Sequence, residues 1–237
     1  MNVRSEVVEV QGEDGRRSAY MALPERANGV AVVVLQEIFG VNANIRAITD
    51  GFAADGFAVI APDLYWRQEA GVELDPGDAD CRGRAVELMK GLDRELAVAD
   101  ASAALETLRS RVSGIGRSAA VGYCFGGGVA FLMAARGLVD AGVSYYGTGL
   151  HDMLTELDRP RGRLLLHLAA DDHLCPPDAQ AAIAAAASRN PAEVSLSIHD
   201  RVGHAFARIS GANYDRSAAE RANAETTSLL SSLAAVK

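Results

Sequence analysis

Apolar residues fall into two kinds of run along this chain, and their alternation predicts the architecture. Val30-Ala31-Val32-Val33-Val34-Leu35 is continuously apolar and largely β-branched, as expected of a strand buried on both faces. Phe57 to Ala61, Ser118 to Val121, Ala141 to Tyr146 and Leu164 to Ala169 are further short strands of this kind, while Val194 to Ile198 alternates. Helical stretches stand between them. They are Asn44 to Asp55 (stopped by Gly56), Asp78 to Lys90, Asp93 to Ser110, Val129 to Ala135, Pro177 to about Ser188, and Ala218 to Val236. Leu64 to Gly77, broken by Gly71, Pro76 and Gly77, reads as irregular. At the start, Glu6 to Gln11 and Arg17 to Leu23 flank Gly12-Glu13-Asp14-Gly15, a hairpin pattern. A hairpin followed by repeated strand–helix units predicts an α/β fold, an open and mostly parallel sheet with helices on both faces. No linker interrupts residues 1–237, so one domain is expected. In such folds ligands sit at the carboxyl ends of the strands.

Charge and cysteine usage narrow the partners. Asp and Glu number 31 against 23 Lys and Arg, a net charge of −8, which argues against a nucleic-acid partner. No apolar run nears the ~18 residues of a membrane span. The opening Met1-Asn2-Val3-Arg4-Ser5-Glu6 has no apolar leader segment. The expectation is therefore no membrane partner. Cys81, Cys124 and Cys175 are an odd set with no C-x-x-C spacing, which suits a reducing, cytoplasmic setting. Neither a metal-binding cluster nor a phosphate loop is visible, so no cofactor is predicted, and a monomer is expected.

The chemistry centres on Gly122-Tyr123-Cys124-Phe125-Gly126-Gly127. A strand precedes it and a helix follows, which is the context of a nucleophile elbow with cysteine as the nucleophile. Side chains at Gly122 or Gly126 would crowd the neighbouring strand or helix. The helix N-terminus would favour a thiolate and a developing oxyanion. A buried structural cysteine in a glycine-rich turn fits the same six residues.

A free thiol of pKa about 8.5 is little ionised at neutral pH, so Cys124 needs a base. Of five histidines, His167 and His199 lie in strands and read as packing or surface residues, and His151 reads as exposed. His173 follows a carboxylate at a strand end and is one candidate. His204 is the better one, in a Gly-His loop after the last strand, with Asp171 or Asp172 to orient it. The order nucleophile, acid, histidine is that of the α/β-hydrolase arrangement. Glu37 ends a buried strand, where a carboxylate needs a partner. Arg208, four residues after His204, suits bidentate binding of a substrate carboxylate.

These residues together resemble the dienelactone hydrolase (carboxymethylenebutenolidase) family. The likeness is carried by Gln36-Glu37-Ile38-Phe39-Gly40-Val41-Asn42, Pro62-Asp63-Leu64-Tyr65, the elbow, Tyr145-Tyr146-Gly147, Asp172-His173 and Gly203-His204-Ala205-Phe206-Ala207-Arg208. It covers nearly the whole chain from Val30. The resemblance implies the α/β-hydrolase fold, Cys124 as nucleophile, His204 as base and Asp172, which immediately precedes a histidine, as orienting acid. Glu37 becomes an extra carboxylate that partners the resting thiol. Backbone N–H groups of Ile38 and Phe125 become the oxyanion hole. Arg82 and Arg208 become the pair that binds the substrate carboxylate, and Phe39 and Tyr145 further substrate contacts. The implied activity is hydrolysis of a dienelactone to maleylacetate through a cysteine acyl-enzyme, as in degradation of aromatic compounds. One position departs: Val86 stands where the family has an active-site tyrosine. That keeps open a thiol esterase of the same fold acting on other activated esters. A non-catalytic binding protein and a redox-sensing thiol protein stand behind both.

Overall fold

A computed structural model describes residues 2–209 and 211–234. They form two compact units, one reaching Ser118 and including Ala234, the other spanning Ala119–Leu233.

The first unit opens with the expected hairpin. Strands β1 (Val3–Gly12) and β2 (Gly15–Pro24) pair antiparallel, from Val3↔Pro24 to Gly12↔Gly15. β2 pairs antiparallel with β4 (Ala58–Pro62), and β4 pairs parallel with β3 (Val30–Leu35), giving the order β1-β2-β4-β3. Every residue of β3 and β4 is buried, which explains why those runs show no polar alternation. Helices α1 (Ala43–Ala54), α2 (Ala79–Lys90) and α3 (Arg94–Arg111) each start on a side-chain cap, supplied by Asn42, Asp78 and Asp93. α2 buries only Ala85.

The second unit carries β5 (Arg117–Tyr123) from Ala119 on, with β6 (Ala141–Tyr145), β7 (Arg163–Ala169) and β8 (Val194–His199), all parallel and in sequence order. Their carboxyl ends therefore lie along one edge. α4 (Phe125–Ala135) is buried along its whole length and packs on β6 and β7. α5 (Pro177–Ala187) packs on β8, and α6 (Arg216–Ser231) on β6 and β7. A side chain at Gly142 would meet Ala130 and Ala134 of α4, whereas the Tyr145 hydroxyl bonds to α6. Those two positions of β6 point to opposite faces, so helices cover both.

Some boundaries differ from the expected ones. α4 starts at Phe125 rather than Val129. Three consecutive glycines weaken the helix signal there by about 1 kcal/mol each, and complete burial overrides it. α6 begins at Arg216, because Asp215 accepts the Ala218 N–H at 2.8 Å, and ends at Ser231. The part of its expected span beyond Ala234 lies outside the described residues. Two 3-10 turns, Leu150–Asp152 and Leu154–Leu157, were not expected from the pattern. Among the described residues no helix is long and apolar enough to cross a membrane.

One buried charge cluster ties the first unit together. Asp100 of α3, 1% exposed, accepts from Arg17 of β2, from Arg67 at 2.6 Å and from Trp66 Nε1 at 2.9 Å. Arg17 is 2% exposed, so removing the carboxylate leaves a buried, uncompensated guanidinium. Asp100→Asn should lower unfolding free energy in denaturant titration by about 3–5 kcal/mol. A loss below about 1 kcal/mol would mean that the cluster is solvated.

Candidate active site

The second unit places the expected nucleophile, acid and base at the ends of β5, β7 and β8. Cys124 follows β5 directly, at φ 53° and ψ −116°, a backbone conformation that β-carbon-bearing residues rarely adopt. Its surroundings hold it there. Its N–H donates to the Tyr145 carbonyl at 3.0 Å, and its carbonyl accepts from Gly127 at 3.0 Å and Thr148 at 3.1 Å. A β-carbon at Gly122 would fall 1.9 Å from the Gly126 carbonyl oxygen, so only glycine lets strand and helix approach this closely. Phe125 is the first residue of α4, which directs the start of the helix at the cysteine.

His204 lies in the turn after β8, and Asp172 in the turn after β7. His204 Nδ1 and Asp172 Oδ2 are 2.8 Å apart, and both residues are under 10% exposed. Asp172 Oδ1 accepts the Leu174 N–H at 2.9 Å, which fixes the carboxylate. Asn213 donates to the His204 carbonyl at 2.9 Å. Of the two candidate acids, Asp171 is exposed and Asp172 is the one that meets the imidazole. His173 is also exposed and stands edge-on to His204 at 6.0 Å, without displacing it from the carboxylate.

Burial alone would favour neutral His204. Hydrogen bonding to Asp172 and the pull of Cys124 outweigh it and raise the imidazole to about 10. Nε2 makes no hydrogen bond of ordinary geometry among the described residues, so Cys124 acts on the imidazole through a poorly aligned hydrogen bond and through charge. An imidazole of this proton affinity can take a thiol proton and hold it. Cys175 has the opposite character. Burial, then the charge of Asp172, push its thiol up to about 11, so it forms little thiolate near neutrality.

The remaining expected site residues divide between the units. Glu37, 1% exposed, follows β3 in the first unit. Its loop is fixed by Tyr65, which donates to the Ile38 carbonyl at 2.8 Å, and by Leu74, which donates to Phe39 at 2.9 Å. Gly40 closes the loop at φ 76°, where a β-carbon would lie 1.8 Å from the Val72 carbonyl oxygen. Phe39 is buried. Arg82, exposed on α2, donates to the Pro76 and Gly77 carbonyls at 3.0 and 2.9 Å, and Val86 of the same helix is 41% exposed. Arg208, half-buried, lies in the second unit, in the turn begun by Ala205 at φ 66°.

The expectation for Tyr145 is corrected. Its ring is fully buried against Tyr123, and its hydroxyl bonds to Asn223 at 2.9 Å and Thr226 at 2.7 Å, so it is a packing residue of β6. Its neighbour Tyr146, at φ 40°, leaves the strand and packs edge-on against His204 at 5.0 Å. Strand alternation could separate the two tyrosines but could not say which faced the histidine. Asn213 carried no sequence signal, being nine residues beyond His204 in irregular chain.

The raised imidazole carries a stability prediction. Free histidine titrates near 6.5 and His204 near 10, so its stabilising contribution is complete below pH 6.5 and is lost as pH rises through 10. Comparing denaturant unfolding of the wild type with His204→Gln, the advantage of the wild type should shrink by a few kcal/mol between pH 6.5 and 10. A constant difference across that window would contradict the Asp172–His204–Cys124 coupling.

Comparison with known proteins places this geometry in context. The profile of the dienelactone hydrolase family matches residues 18–234. The carboxymethylenebutenolidase of Pseudomonas putida is 37% identical over 98% of this chain and 99% of its own. Carboxymethylenebutenolidase 1 of Cupriavidus pinatubonensis is 38% identical over 97% of each. Among solved structures, a dienelactone hydrolase-like promiscuous phosphotriesterase from metagenomic libraries superposes with a TM-score of 0.78, at 24% identity, over 98% of this chain and 99% of that one. The α/β-hydrolase fold is therefore established, the chain is a hydrolase by descent, and it belongs to the dienelactone hydrolase family.

Proposed function

We propose that the chain hydrolyses an anionic unsaturated lactone, a dienelactone, through an acyl-enzyme on Cys124. The observation that carries this is the buried Asp172–His204 pair, 2.8 Å apart, electrostatically coupled to a cysteine on a strained elbow. The relatives named carboxymethylenebutenolidase support the substrate class. In this reading His204 takes the Cys124 proton, and the thiolate adds to the lactone carbonyl. The tetrahedral intermediate collapses by expelling the ring oxygen. That oxygen is an enolate-type leaving group, far better than an amide nitrogen or a simple alkoxide, so a thiolate nucleophile suits it. His204 gives its proton to the departing oxygen and, neutral again, takes one from water, whose attack breaks the thioester, returns the proton to Cys124 and releases the open-chain acid, maleylacetate for the parent dienelactone.

Family likeness extends the assignment to further residues. Phe125 and Ile38 supply oxyanion N–H donors, and Glu37 partners the resting thiol. Arg82 and Arg208 bind the substrate carboxylate, and Phe39 contacts the substrate. A role in aromatic-compound degradation, a cytoplasmic setting and a monomeric state complete the reading.

A second reading, a thiol esterase of broader scope, is favoured by Val86, an exposed apolar side chain where the family has a tyrosine.

Loss of dienelactone absorbance, measured beside hydrolysis of a neutral nitrophenyl ester, tests the assignment. The lactone should turn over much faster. A hydrogen bond to a charged group is worth about 1.5–3 kcal/mol, so Arg208→Ala should cut lactone kcat/KM by about 10- to 100-fold and spare the neutral ester. Equal losses on both substrates would remove the anion-binding role. Turnover of the neutral ester alone would favour the esterase.

A further inference from the structure

The second unit holds a buried polar chain that the proposed chemistry does not use. Arg221 Nη2 lies 2.9 Å from His199 Nδ1, and His199 Nε2 lies 3.1 Å from His167 Nδ1. His167 Nε2 lies 3.1 Å from Thr226 Oγ1, which is 2.7 Å from the Tyr145 hydroxyl, itself bonded to Asn223 Oδ1 at 2.9 Å. His199, His167, Thr226 and Tyr145 are each 0% exposed. Three of these residues stand near the carboxyl ends of β8, β7 and β6, and the other three belong to α6.

The sense of the chain is forced. A guanidinium can only donate, so His199 Nδ1 must accept and its proton must sit on Nε2. His167 Nδ1 then accepts, and its Nε2–H donates to Thr226. Thr226 donates to Tyr145, and Tyr145 to Asn223. Burial keeps both rings neutral, as this order requires: His167 is pushed down to about 3, and His199 is also lowered, by burial first and Arg221 next. Glu225 approaches His167 Nδ1 only to 3.7 Å, farther than His199 does.

We propose that this one-way hydrogen-bond chain is a positioning device for the Cys124–His204 pair, an inference that rests on the reading of those two residues given above. It reaches them from both ends. The His199 ring packs on Phe206 at 4.7 Å, Phe206 on Tyr146 at 5.5 Å, and Tyr146 on His204 at 5.0 Å. The Tyr145 carbonyl holds the Cys124 N–H at 3.0 Å, and the His167 carbonyl holds the Tyr146 N–H at 2.8 Å. An apolar filling would occupy the same space without fixing how each ring is turned. A chain of assigned donors and acceptors fixes each ring, and a partly broken one leaves buried polar atoms unsatisfied.

Arg221 is the head of the chain and is exposed on α6, so its variants should fold. Nitrogen NMR of the histidines, together with ester kinetics, compares wild type with Arg221→Met and Arg221→Lys. In the wild type both His167 and His199 should carry the proton on Nε2. Arg221→Met should leave His199 in mixed tautomers, shift the His204 titration, and lower kcat about tenfold with KM unchanged, as a small misplacement does. Arg221→Lys, which keeps a donor, should restore all three. Protons found on Nδ1 in the wild type would overturn the proposal. So would wild-type kcat and His204 titration in Arg221→Met, or equal defects in the two variants. If the wild type turned over neither lactone nor ester, the functional reading would fall. The tautomers and the His204 titration, which need no substrate, would still judge the chain.

Discussion

The candidate site depends on one unfavourable backbone geometry, Cys124 at φ 53° and ψ −116°. Such a residue costs about 1–3 kcal/mol and persists only where its surroundings leave no alternative. Here the surroundings are a missing side chain at Gly122, a backbone clamp from Tyr145, Gly127 and Thr148, and a helix buried along its full length. The turn places the thiol at the strand end and the helix start behind it. Among the described residues, non-glycine residues with positive φ are Cys124, Tyr146, Arg201 and Ala205. All four lie in turns that follow β5, β6 and β8, so strain gathers where the chemistry is proposed.

Electrostatics complete what the backbone begins. A buried imidazole would ordinarily lose its proton, and His204 gains affinity for one instead because a fixed carboxylate and a sulfur flank it. His167 and His199, equally deep but facing each other and Arg221, are driven the other way. The same residue type is thus a proton acceptor in one part of the unit and a neutral structural link in another. Burial lowers all three, and only at His204 do an acidic partner and a sulfur outweigh it.

Much of this was legible in the sequence because the deciding terms are local. Continuous apolar runs marked β3 and β4, and Gly-x-Cys-x-Gly between strand and helix marked the elbow. The nucleophile–acid–histidine order marked the strand ends at which the candidate residues lie. What was not legible depends on direction and on distant packing. The first turn of α4 was hidden by three glycines that only burial could make helical. Tyr145 and Tyr146 are neighbours of identical type, and a positive φ at the second sends one to α6 and the other to His204. The histidine chain joins residues 22 to 81 positions apart and became visible only once α6 lay on β6 and β7.

The central claim, that Cys124 becomes acylated during turnover, is tested most directly by rapid acid quench followed by peptide mass spectrometry. With a slowly deacylating activated ester, the account predicts an acyl mass on the peptide containing Cys124 within the first turnover, and none in Cys124→Ser at the same time point. Turnover without that adduct, or an adduct on Cys81 or Cys175 instead, would contradict it.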